Sequence, residues 1–202
     1  MSRVLRWGLT MAQIDPNLGW KAVDARLQRT ENPRHRRMLS VLVGHMKAEM
    51  VGDLEGMLAG LVEKPKYHMW GTGRDTGPKG FNAIRQYYVD LLAARRGVLE
   101  YAIDRIILDD DAVMTEGTIR AYQPGAVARD FGFAVDRTDL TYLVTYRALI
   151  VWPFDEDGDL IGEDGYGAWD PADAVPVASA DLPDEYVRLF DESEYPLVGI
   201  RA

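Results

Sequence analysis

The chain has 202 residues, 47% of them apolar and 27% charged, a composition that supports one folded domain and excludes a fully disordered chain. It has no cysteine, which excludes disulfides, thiolate metal ligation and a cysteine nucleophile, and its three histidines argue against an imidazole-rich metal site. A net charge of −9 speaks against nucleic acid as the main partner, because phosphate binding needs concentrated positive charge.

In chain order, residues 1–34 read as an N-terminal extension. Trp7, Leu9, Met11, Ile14, Leu18 and Trp20 are too apolar for a free tail, and Asn17 to Arg29 is a candidate short helix. The cluster Arg34-His35-Arg36-Arg37 reads as the solvated positive start of a helix or as an intramolecular partner for the acidic tail. A helix then begins near Pro33–His35, with Leu39, Leu42, Val43, Met46 and Met50 on one stripe and Gly52 at its end. Asp53 caps a second predicted helix, Leu54 to Val62, which Pro65 stops. Lys66 to Trp70 is a short strand, followed by a Gly-rich loop and a third helix, Phe81 to Arg96. From Glu100 the apolar period becomes two. Strands are expected over Glu100–Asp109, Ala112–Tyr122, Leu140–Phe154 and Asp159–Trp169, with a long connection at Gln123–Asp139 and an acidic hairpin at Asp155–Gly158. Residues 171–202 form an acidic tail with a candidate helix at Asp184–Phe190; residues 153–202 hold 14 acidic and 2 basic residues.

A helix block followed by a strand meander predicts an α+β fold with helices on one face of an antiparallel sheet. The run Leu140–Phe154 is too short to span a bilayer, and the N-terminus lacks the apolar region of a signal peptide, so a cytoplasmic protein with no membrane partner is expected. On Leu140–Phe154, Leu143, Leu149 and Val151 face away from Tyr142, Tyr146 and Trp152. Both strand faces are therefore apolar, and a homodimer through the outer sheet face is expected.

Five stretches carry a family resemblance: Val51-Gly52-Asp53-Leu54-Glu55, Tyr67-His68-Met69-Trp70-Gly71, Gly80 through Tyr88, Trp152-Pro153-Phe154-Asp155-Glu156-Asp157-Gly158, and Tyr166-Gly167-Ala168-Trp169-Asp170. In order and spacing they resemble the nuclear-transport-factor-2-like superfamily, which includes ketosteroid isomerases, SnoaL-like polyketide cyclases, scytalone dehydratase and limonene epoxide hydrolase. The resemblance covers residues 35–170. It implies a strongly curved sheet wrapped on three helices, a cone that encloses a pocket. Carried over position by position, it places His68 at the family's proton-shuttling base, His45 at its oxyanion-hole tyrosine and Tyr88 at the tyrosine bonded to that group. Trp169 matches an aromatic pocket wall. The second oxyanion donor falls at Ile150, which cannot donate a hydrogen bond, so steroid isomerisation by the known constellation is not expected.

Neutral imidazole suits proton abstraction near pH 7, since its unperturbed pKa is about 6.5. The expected function is thus a cofactor-independent lyase or isomerase, of dehydratase or cyclase type, acting on a small apolar, cyclic or aromatic molecule. His68 would move the proton, with His45 and Tyr88 orienting or polarising an oxygen. Trp70, Tyr146 and Trp169 would hold the substrate, and Glu116, mid-strand, is the alternative pocket carboxylate. A non-catalytic ligand-binding or assembly domain of the same fold is the competing reading. No metal is expected, because Asp109-Asp110-Asp111 and Asp155–Asp159 lack calcium-loop spacing. No dinucleotide, P-loop or nucleophile-elbow motif is present, so no cofactor is expected. At least one of the two extensions is expected to cover the pocket mouth, with simple packing on the sheet or helix surface as the alternative.

Overall fold

The computed structural model describes residues 14–71, 73–94, 96–184 and 186. The candidate helix of the N-terminal extension is α1 (Leu18–Gln28), which turns Gly19 and Val23 inward. The apolar stripe that follows is α2 (Pro33–Val51). Its start is set by Asn32, whose side chain accepts from the N–H groups of Arg34 (2.9 Å) and His35 (3.3 Å), with proline at the first position, where no N–H is needed. It ends at Gly52, whose φ of 68° is the left-handed conformation that glycine adopts without strain. Asp53 then caps α3 (Leu54–Leu58) through the N–H of Gly56 at 3.0 Å.

The predicted second helix stops four residues early, at Leu58, and the chain from Leu61 is already strand β1 (Leu61–Met69). Gly60 interrupts the helix, and the residues after it pair with a distant strand. After α4 (Phe81–Ala93) come β2 (Leu99–Leu108), β3 (Ala112–Pro124), α5 (Gly125–Asp130), β4 (Thr141–Pro153), β5 (Leu160–Ala168) and β6 (Ala174–Val177). The sheet order is β1-β5-β4-β3-β2, with β6 paired to β4 beyond the end of β5. All pairs are antiparallel except β1 with β5. The sheet is curved and unclosed. Two elements lie in segments expected to be irregular: α5 in the long connection and β6 in the acidic tail. Trp7, Leu9, Met11 and most of the candidate helix 184–190 lie outside the described residues.

The inner face of the sheet packs against α2. Leu39, Leu42, Val43 and Met46 meet Tyr101, Val113, Ile119, Tyr142, Val144 and Trp152. A second cluster joins Met57 and Leu58 to Tyr67, Ile84 and Tyr88, which fixes α4 against β1. Among the described residues, the basic cluster meets the two acidic turns of the sheet. The Arg34 guanidinium donates to the carbonyls of Asp110 (2.6 Å), Asp155 (2.8 Å) and Glu156 (2.6 Å), His35 meets Asp110 at 2.8 Å, and Arg37 meets Asp159 at 2.6 Å. These contacts tie the start of α2 to the two acidic turns of the sheet.

On the outer face, Leu143 and Tyr122 are covered by Ile14, Val177 and Tyr186 of the same chain. Beside them a charged strip crosses the sheet: Arg147 reaches Asp104 (2.5 Å) and Glu116 (2.9 Å), and Arg105 reaches Glu116 (3.4 Å). Part of the surface expected to meet a second copy is thus occupied by the chain's own ends. Among the described residues, no helix is long and apolar enough to cross a membrane.

Candidate active site

The curved sheet and α2, α4 and α1 enclose a cavity of about 440 Å³, within the usual range for small-molecule sites. Its walls are mostly aromatic and aliphatic, including Trp70, Tyr146, Trp152 and Trp169. Pro16, Gly19 and Trp20 of the N-terminal extension close one side. A Cβ on Gly19 would sit 2.9 Å from the Met46 methyl and 3.2 Å from Tyr101 Cβ, so glycine there lets α1 approach the cavity closely.

Helical and strand periods decide which polar groups enter. On α2, His45 and Glu49 are one turn apart and share a face. His45 is 3% exposed, and its Nδ1 lies 2.8 Å from the Met57 carbonyl. A carbonyl only accepts, so Nδ1 carries a proton, and in the neutral ring Nε2 is an acceptor. The Tyr88 hydroxyl, on α4, is 3.1 Å from that Nε2 and 3.4 Å from Glu49 Oε1. Behind it, the Tyr67 hydroxyl on β1 lies 2.8 Å from Tyr88. Tyr67, Tyr88, His45 and Glu49 therefore form one buried hydrogen-bonded chain ending at the cavity. Burial holds the Tyr67 and Tyr88 phenols well above their ordinary pKa, so both stay protonated donors at neutral pH.

Glu163 enters from β5. It lines the cavity and has no hydrogen-bond partner among the described residues. Burial first, then the charge of Glu49, pushes its carboxyl up to about 8. Glu49 is also raised, by burial, while His45 and the Tyr88 hydroxyl act in the opposite direction. Two carboxyls thus face one apolar cavity in different settings: Glu49 is held by hydrogen bonds and Glu163 is free. Such divergence separates acid and base roles in many proton-transfer sites. Tyr146, on β4, also lines the cavity without a hydrogen-bond partner among the described residues, and burial raises its phenol to about 12. One atom each of His45, Glu49 and Glu163 lies within 4.8 Å of the others, so the three could also gather round a divalent cation.

The structure brings His45 and Tyr88 together and places Trp70, Tyr146 and Trp169 in the cavity wall. Ile150 lines it too. It does not bring His68 there. On β1, Tyr67 is buried and Met69 lines the cavity; His68 is not in the lining, its Nδ1 meeting Asp75 at 2.8 Å and its ring stacking on Trp70, which itself lines the cavity. The Lys79 ammonium, then the Gly77 N–H, holds Asp75 well below the usual carboxylate range. Glu116 is likewise outside. Val113, Thr115 and Ile119 take the buried face of β3, and Glu116 takes the outer face with Arg147. Glu163 was not singled out from the sequence, although alternation back from Trp169 through Gly167 and Gly165 puts it on the same face.

No protein-family model matches the chain, and no curated protein matches it by sequence. Solved structures do. A protein named as a SnoaL-like polyketide cyclase from Shewanella putrefaciens CN-32 superposes with a TM-score of 0.55 at 14% identity, over 77% of this chain and 90% of that one. A second, from Shewanella denitrificans OS-217, gives 0.53 at 14% identity, over 65% and 90%. The chain has the nuclear-transport-factor-2-like fold. The epoxide hydrolase/cyclase-like enzyme SalBIII, which has a role in pyran ring formation in the polyether salinomycin, gives 0.50 at 12% identity, over 70% of this chain and 97% of that one.

The hydrogen-bonded chain gives a direct stability prediction. Tyr88→Phe leaves the Tyr67 hydroxyl and His45 Nε2 without their shared partner in a buried place. An unmet buried polar group costs about 1–3 kcal/mol, so the melting temperature should fall by about 4–10 °C in a thermal scan. An unchanged melting temperature would mean that water replaces the lost hydroxyl at no cost.

Proposed function

We propose that the chain is a cofactor-independent lyase or isomerase that moves a proton on an apolar cyclic or aromatic carbonyl compound, with Glu163 as the proton-transferring group. The observation that carries this reading is the unpartnered Glu163 carboxyl, raised to about 8, in an apolar cavity that also offers free and hydrogen-bonded phenols. As a carboxylate, Glu163 takes a proton from carbon next to a carbonyl. The Tyr146 hydroxyl donates to the oxygen on which negative charge develops. Returning the proton to another carbon isomerises the substrate; handing it instead to a β-hydroxyl, which leaves as water while the Cα–Cβ double bond forms, dehydrates it. Tyr88 and Glu49, anchored through His45, position the polar end of the cavity. Trp70 and Trp169 stack on the ring system. The fold shared with SnoaL-like cyclases and with SalBIII supports this class of reaction without specifying a substrate.

The test is hydrogen exchange in D₂O. A panel of cyclic ketones and β-hydroxy ketones, incubated with the protein and followed by NMR, should show loss of the C–H signal next to the carbonyl faster than in buffer. Exchange at the buffer rate across the panel, with the same compounds binding in the cavity, would support a binding protein instead. Dialysis against a chelator should leave the exchange rate unchanged. A loss restored by a divalent cation would turn His45, Glu49 and Glu163 into metal ligands and overturn the acid–base reading.

A further inference from the structure

The far end of the cavity from Glu163 holds the one feature that proton transfer leaves unexplained. Among the described residues, Arg96 is the only lysine or arginine in the cavity wall. Its Nε is buried without a hydrogen-bond partner, and its guanidinium meets no carboxylate among the described residues. Its guanidinium lies over the Phe131 ring, with Cζ 4.6 Å from the centroid, and its charge reaches the Tyr87 and Tyr146 phenols. A ring face attracts the cation but accepts none of its five in-plane N–H donors. Arg120 is satisfied by Glu100, Arg147 by Asp104 and Glu116, and Arg34 by three carbonyls; Arg26 Nε, on α1, is also buried without a partner, but Arg26 does not line the cavity.

A second polar group at the same end is also unmet. Gln123 lines the cavity, is 6% exposed, and has a buried Oε1 with no partner. The register sets the backbone of the two segments side by side. Leu99 pairs with Ala121, and the N–H of Tyr122 reaches the carbonyl of Val98, so the residues just before β2 run beside Gln123. Glu163 belongs to the opposite end. Val151 pairs with Asp164, which sets Glu163 beside Trp152, whereas Gln123 pairs with Tyr142 at the start of β4. Tyr146 lies between them.

We propose that Arg96 and Gln123 form a carboxylate-binding subsite, so that the substrate is an apolar ring compound with a carboxylate remote from the carbon that reacts. A carboxylate accepts two parallel N–H bonds from a guanidinium, a geometry that no carbonyl or hydroxyl reproduces. The Gln123 Nε2 group, which makes no hydrogen bond among the described residues, adds a third donor; the buried Oε1 is an acceptor and does not bind the carboxylate. The aromatic wall between the two ends takes the ring. The subsite orients the substrate, carboxylate toward Arg96 and reactive carbon toward Glu163. It rests on the reading of the cavity as a substrate site and not on Glu163 as the proton carrier.

The probes are 2-naphthoate and its neutral counterpart, naphthalene-2-carboxamide, titrated into the full chain and followed by calorimetry. The two share a ring and a shape and differ in charge. The wild-type protein should bind the naphthoate about 10–100-fold more tightly, the range expected for hydrogen bonds to a charged group. Arg96→Met keeps the length of the side chain and its contact with Phe131. It should bring the two affinities within about threefold of each other by weakening naphthoate alone. Arg96→Lys should retain part of the preference. Equal binding of the two probes by the wild type, no binding of either, or a preference that survives Arg96→Met would each overturn the subsite. Glu163→Gln should keep the preference. A wild type that shows the preference but no hydrogen exchange would remove the acid–base reading and leave the subsite standing.

Discussion

Replacing Glu163 by glutamine should lower the rate of enzyme-dependent hydrogen exchange by about 10²–10⁴-fold, the usual cost of removing a positioned acid–base group. Glutamine keeps the shape of the side chain and cannot carry the proton. The pH dependence makes the test specific. A base works only when deprotonated, and burial together with Glu49 pushes the Glu163 carboxyl up to about 8. The wild-type exchange rate should therefore rise about tenfold per pH unit below that value and level off above it. Glu163→Gln should lose this rise as well as the rate. His68→Ala, at a residue outside the cavity lining, should change the rate by less than about threefold. Loss of activity in His68→Ala, with Glu163→Gln unaffected, would return the proton to the histidine and overturn the assignment.

The fold and the site differed in how much of each was legible in the sequence, and the difference has physical causes. Local signals carried α2 completely: an apolar stripe at helical spacing, Asn32 before a proline, and Gly52 at the end are all contained in one segment. The long strands were equally plain, because alternation and turn residues are also local. The start of β1 is not legible locally, since Leu61 pairs with Leu160 of β5, about a hundred residues later, and the register shifts before pairing resumes at Lys66. Trp169 and the pair His45 and Tyr88 follow from the family resemblance, and Tyr146 from the alternation of its strand. The carboxyl pair does not. Glu163 sits between Gly162 and Asp164 in an acidic stretch, which reads as solvated surface; only the approach of α2 to the sheet gives it Glu49 as a neighbour. His68 and Glu116 failed for one reason. A one-residue change of parity moves a strand side chain to the other face, and Tyr67 and Val113 already marked the inner parity of their strands. Arg96 closes the third predicted helix, whereas α4 ends at Ala93 and Arg96 stands in the cavity wall.

The same glutamate should make the folded protein less stable than it needs to be. In the unfolded chain its carboxyl titrates near 4.5, and in the folded protein near 8. Between those values the folded state holds a proton that the unfolded state has released, so stability falls as pH rises through this window. The stability carried by the protonated carboxyl is full below about 4.5 and gone above about 8. A difference of that size corresponds to a few kcal/mol at roughly 1.4 kcal/mol per pH unit, once water in the cavity is allowed to screen part of it. Glu163→Gln is fixed in the neutral form and also relieves Glu49 of a like charge. The variant should melt on the order of 5–10 °C above the wild type at pH 9, and within about 2 °C of it at pH 5. A site that needs an unpaired carboxyl in an apolar cavity accepts this loss, and removing the carboxyl should raise stability while removing function. If the two proteins melted together at both pH values, Glu163 would be hydrated rather than desolvated. It would then be an ordinary acid, ionised well below neutral pH, and the plateau near pH 8 in the exchange rate should disappear with it.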